Sequence, residues 1–149
     1  MKRSWGLATA FLIVVAAAVI AGTPQYVGTE KCKPCHLPEF GTWTASAHAS
    51  ALDTAKAADT FSAECLKCHA TNASESMPGV QCEACHGPGS EYWPIPVMYD
   101  LKKAVQLGLL VQDQKLCDGC HDGQDHHAKV LFGKFKHDHR EKKGAVELE

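Results

Sequence analysis

The chain has 149 residues, 8 Cys, 9 His and a formal net charge of −2. That length fits one domain or two very small ones. The near-neutral charge excludes an electrostatic nucleic-acid binder, and the supply of Ala, Leu and Val excludes a disordered tail.

Lys2 and Arg3 precede an uncharged apolar stretch, Leu7 to Ala21, that exits through small residues at Ala21 and Gly22. This order predicts an export signal over residues 1–22, leaving 23–149 as the working domain. A retained anchor is the alternative, because the uncharged run from Ser4 to Thr29 can span a bilayer core of about 30 Å. Either way the remainder is exported, to the periplasm first of all, with the cell surface or the extracellular space as alternatives.

The first Cys-x-x-Cys-His run is Cys32, Cys35, His36. After it, Phe40, Trp43, Ala47, Ala51 and Ala55 recur at near-helical spacing and predict a helix across Pro38–Ala58 that carries His48. The same five-residue pattern returns as Cys65, Cys68, His69, then as Cys82, Cys85, His86, with a Thr71–Gly79 break between them. A second break covers Gly87 to Pro96. Leu101, Val105 and Leu109 predict an amphipathic helix. Asp113 is placed to cap a short helix bearing the fourth run, Cys117, Cys120, His121. Beyond the Asp122–Gln124 break, Val130, Leu131, Phe132 and Phe135 suggest a third helix across Asp125–Lys143. No strand signal is convincing.

All eight cysteines fall in these four copies, with none left over. Cys-x-x-Cys-His is the c-type haem attachment signature. Two thiols one turn apart reach the two vinyl groups of one haem as thioethers, and the adjacent His ligates the iron. A disulfide framework gives no reason for a His after every second Cys. Zinc sites close on two such pairs and leave the His surplus. A thioredoxin-like site needs one copy in a βαβ setting. Four covalently attached haems are therefore expected, with His36, His69, His86 and His121 as proximal ligands. The fold class is mostly α with extensive loops and little or no β-sheet, organised around those haems. The motif histidines lie 33, 17 and 35 residues apart, so little polypeptide separates one haem from the next.

Five histidines remain as candidate distal ligands: His48, His126, His127, His137 and His139. His48 leads, because its Ala and Ser neighbours would let a flat ring approach closely. His126 and His127 on a helix would point about 100° apart, so one ligand and one solvated neighbour is the economical reading. His137 and His139 sit in a charged stretch that reads equally well as a solvated face. Met77 and Met98 are either axial ligands or packing.

Residues beyond the motifs carry a resemblance. Tyr26-Val27-Gly28, Trp43 and Ser46-Ala47-His48-Ala49, with Gly79-Val80-Gln81-Cys82-Glu83-Ala84-Cys85-His86-Gly87-Pro88-Gly89-Ser90, resemble the cytochrome c554 family of multihaem cytochromes from Tyr26 to about His121. The resemblance implies a largely helical tetrahaem electron carrier with closely packed haem pairs, in which His48 is an axial ligand. Members often carry a His shortly after Gly-Pro-Gly, where this chain has Ser90-Glu91-Tyr92-Trp93. The family includes a five-coordinate haem.

Three functions follow as expectations. The first is an electron carrier between redox protein partners, docking weakly through polar, salt-sensitive contacts. The second is a redox enzyme acting on a nitrogen oxide or hydroxylamine at one open haem. The third is a subunit of an extracellular filament, joined by a heterologous contact that does not close. Membrane contact is expected only if the N-terminal segment is retained, and nucleic acid is not a partner.

Overall fold

The computed structural model describes residues 22–134. The expected export segment lies outside this range apart from Gly22, as do His137 and His139. Eight short helices follow one another: α1 Thr29–Cys32, α2 Leu37–Thr44, α3 Ala51–Lys56, α4 Leu66–His69, α5 Cys82–His86, α6 Ile95–Met98, α7 Leu101–Gln106 and α8 Gln114–Asp118. Two 3₁₀ turns, Ala63–Cys65 and Thr71–Ala73, flank α4. No strand occurs among the described residues; Ala70 makes isolated bridges to Pro78 and Gly79. The architecture is mostly helical with extensive loops, as expected.

Helices this short are not stable alone in water, so their ends are tied down. Asp100 caps α7 by accepting from Lys103 N at 3.0 Å. Asp113 does the same for α8 through Leu116 N at 3.0 Å, the expected cap. Pro38 lies in the first turn of α2, where its missing N–H is no loss.

The apolar core is small. Tyr92, Val97 and Ala104 form one cluster, with Met98, Leu107 and Leu109 packed against it. Leu52 and Ala70 are buried elsewhere, while Trp93, Ile95, Tyr99, Leu131 and Phe132 stay exposed. Met98 thus belongs to the packing.

Two expected helices are corrected. The stripe across Pro38–Ala58 breaks into α2 and α3, with turns between them. The break is held by side chains and by a crossing loop. The Ser46 hydroxyl donates to Trp43 O at 2.7 Å, and His48 O accepts from Val80 N at 2.8 Å. Trp43 Nε1 also donates to Val80 O at 2.7 Å, so residue 80 is held on both its polar groups. His48 therefore sits in a turn. The helix expected across Asp125–Lys143 does not form over 125–134. Gln114 pins that segment open instead, donating to Val130 O at 3.0 Å and accepting from Phe132 N at 2.7 Å. Its continuation from residue 135 lies outside the described residues.

The loop that crosses His48 depends on one glycine. Gly79 has φ +77°, and a Cβ there would meet Ala49 O at 2.5 Å and His48 O at 2.9 Å. Thr71, with no exposed surface, buttresses it: its hydroxyl donates to Gly79 O at 3.0 Å and accepts from Gln81 N at 2.8 Å. Gly79→Ala should lower unfolding stability by about 2 kcal/mol or more, through the positive φ and the backbone clash. Chemical denaturation of the mature protein would measure it, and an unchanged midpoint would contradict the close approach.

Candidate functional site

Each Cys-x-x-Cys-His run occupies one tight turn. His36 N and His121 N close on the carbonyls of Cys32 and Cys117 at 3.1 and 2.8 Å. The second run straddles the 3₁₀ turn Ala63–Cys65 and α4, and the third lies on α5. A helical turn puts residues i and i+4 on one face, so the first Cys and the His of each run face the same way. None of the eight cysteines forms a disulfide.

The motif histidines share a second feature that sequence reasoning did not anticipate. In three of them Nδ1 faces an oxygen acceptor. His69 Nδ1 meets Ala51 O at 2.9 Å and His121 Nδ1 meets Ala128 O at 3.0 Å. His36 Nδ1 lies 3.8 Å from the Glu39 carboxylate. A carbonyl oxygen only accepts, so His69 and His121 carry their proton on Nδ1 and keep the Nε2 lone pair for a metal. At His86 the Gln112 side-chain amide takes this position, with its nitrogen 2.7 Å from Nδ1.

The structure also brings candidate ligands together. An imidazole nitrogen bonds a metal at about 2 Å, so two rings that shared one metal would have ring centres no more than roughly 6 Å apart. His48 and His121 are 6.2 Å apart by ring centre, and His69 and His126 are 5.9 Å apart. The expectation that His126 and His127 diverge on a helix is corrected. They lie in a turn and the segment after it, their rings are 4.1 Å apart edge to face, and the ligand atoms of His69, His126 and His127 all lie within 4.8 Å of one another. What separates the two is their other contacts. His127 Nδ1 is 3.5 Å from the Asp122 carboxylate, which the Gln124 N–H at 2.9 Å chiefly holds below the usual carboxylate range.

The motifs approach one another in pairs. The Cys32 and Cys82 thiols hydrogen-bond each other; that bond, and then burial, push Cys32 far above the usual thiol range, while it holds Cys82 down to about 7. Cys120 is pushed up to about 12, first by burial and then by its bond to Cys68. Burial raises Cys85, and the nearby Cys117 raises it further. The first motif therefore meets the third, and the fourth meets the second.

These residues fit a covalently attached haem at each motif. The thiols are unpaired in disulfides, the histidines of the second and fourth motifs offer Nε2, and each of those two rings has a second imidazole at a distance that a shared metal would allow. The sparse apolar core agrees, since bound macrocycles would fill space that this polypeptide does not. Among the described residues, no helix is long and apolar enough to cross a membrane.

The described residues thus form a small, mostly helical fold in which short helices are strung between Cys-x-x-Cys-His turns. The family described as cytochrome c554 and c-prime matches residues 31–87, which span the first three motifs. Cytochrome c-554 of Nitrosomonas europaea is 26% identical over 113 residues, covering 58% of this chain and 48% of that protein. The chain thus spans about half the length of this curated relative. The solved structure of reduced cytochrome c554 from Nitrosomonas europaea superposes with a TM-score of 0.54 at 20% identity, over 80% of this chain and 74% of that one. The chain is cytochrome c554-like in its fold, and in sequence across its first three motifs. That likeness implies covalently bound haem c.

Proposed function

We propose that this chain is an exported tetrahaem c-type cytochrome that carries single electrons between redox protein partners. The observation that supports it is the pairing of two motif histidines with histidines outside the motifs, His121 with His48 and His69 with His126, at ring-centre distances of 6.2 and 5.9 Å. Each Cys-x-x-Cys-His run is one attachment point. Haem c, when bound, supplies a one-electron iron couple at each point. The polypeptide does the rest. Cysteine pairs hold the groups, and His36, His69, His86 and His121 are the proximal ligands. The Nδ1 contacts orient those rings and set their donor strength.

His48 is the distal partner of His121, and His126 that of His69. His127 is held aside by Asp122. His137 and His139 remain candidates for the other two irons. Residues 1–22 serve as the export signal, on the strength of Lys2, Arg3 and the apolar run behind them, and the periplasm is the proposed location.

Mass and haem analysis of the mature protein should give a polypeptide starting near residue 23 with four haems attached. Low-temperature EPR of the oxidised protein should then be wholly low-spin. A high-spin fraction of about one iron in four, removed by a small added ligand, would instead support chemistry at an open iron. His126→Ala should convert about one iron in four to a high-spin, ligand-accessible form, whereas His127→Ala should leave the spectrum unchanged. Equal effects from the two variants would overturn the assignment. Electron transfer with the physiological partner should slow as ionic strength rises, and a salt-independent rate would contradict polar docking.

A further inference from the structure

The third motif holds a charge that none of the roles above uses. Glu83 lies between Cys82 and Cys85 and is 2% exposed. Its Oε1 accepts from Val27 N at 2.9 Å and from Gly89 N at 2.7 Å. Its Oε2 accepts from Gly28 N at 2.7 Å and from Val27 N at 3.1 Å. Both oxygens face N–H donors, so the group acts only as an acceptor; a protonated carboxyl would turn its O–H toward one of those donors. No Lys, Arg or His ion-pairs with it among the described residues. The charge is therefore compensated by backbone dipoles alone. The other motifs carry Lys33 and Pro34, Leu66 and Lys67, or Asp118 and Gly119 between their cysteines, and none of these is buried.

The position matters because of what surrounds it. Glu83 is bonded in sequence to Cys82, whose thiol meets Cys32, and its charge acts on both. Tyr92 senses it as well: burial first, and then the Glu83 charge, push the phenol above its usual range. A charge sealed from water acts over a longer distance than an exposed one, because neither solvent nor salt screens it fully. A fixed negative charge favours the oxidised, more positive state of a nearby redox centre.

We propose that Glu83 is a positioning residue that acts on redox balance: its charge, sealed between the first and third motifs, lowers the reduction potentials of the irons held by His36 and His86 relative to those held by His69 and His121. This rests on the tetrahaem reading above. Its test therefore begins by counting haems in the wild-type holoprotein; fewer than four would sink that reading rather than this one. With four present, a spectroelectrochemical titration of wild type, Glu83→Gln and Glu83→Asp follows. Glu83→Gln should raise two of the four midpoint potentials and leave two in place, and Glu83→Asp, which keeps the charge, should stay close to wild type. No shift in Glu83→Gln, an equal shift of all four potentials, or an equal shift in both variants would overturn it. Should Glu83→Gln fail to fold, NMR assignment of the wild-type haems decides. The irons of His36 and His86 must then be the two lowest in potential, and any other order overturns the proposal.

Discussion

One carboxylate and three backbone N–H groups organise the half of the molecule that holds the first and third motifs. The loop from Val27 to Gly28 has no regular structure, and α1 behind it is a single turn. Glu83 gives those two amides an acceptor, and it turns the Gly-Pro-Gly segment back on itself through Gly89. A side chain at position 89 would collide with this arrangement, since its Cβ would meet Glu83 Oε1 at 3.0 Å and Val27 Cγ2 at 3.1 Å. Gln81 reinforces the junction by accepting from the Thr29 hydroxyl at 2.7 Å. Breaking one partner of such a buried set leaves the others unsatisfied, which costs about 1–3 kcal/mol per group. The two motifs are therefore held to each other by polar contacts, where a larger protein would use an apolar core.

The second and fourth motifs are joined differently. There the tie is made of imidazoles, sulfurs and the strand-like stretch after Asp125 that Gln114 holds open. Ala128 O, on that stretch, orients His121, while His126 faces His69 from just before it. A single segment thus touches the motif histidines of both. The two halves reach the same end, a pair of abutting attachment sites, by unrelated means.

What the sequence disclosed follows from how local each feature is. The four Cys-x-x-Cys-His turns were legible because their chemistry is completed within five residues. The caps at Asp113 and the breaks at Gly79 and Gly87 were legible for the same reason. His48 stood out by its small neighbours, but its place in a turn depends on Val80, which no helical period can reveal. The segment after Asp125 read as a helix from its apolar residues, because the competing partner, Gln114, lies outside that window. Glu83 reads in the sequence only as part of a motif. Its burial is decided by amides 55 and 56 residues earlier in the chain, and a carboxylate between two cysteines carries no mark of that. The amide of Gln112 beside His86 was hidden likewise.

That long sequence separation has a consequence for how the molecule is made. A chain that emerges N-terminus first exposes Val27, Gly28 and the Cys32 thiol well before Glu83 exists to receive them. The first motif stays untethered through that interval, and is fixed in place only when the third has been synthesised. The buried carboxylate is then a late fastener. It gives the earliest motif a fixed seat only once the segment that carries the third motif has arrived.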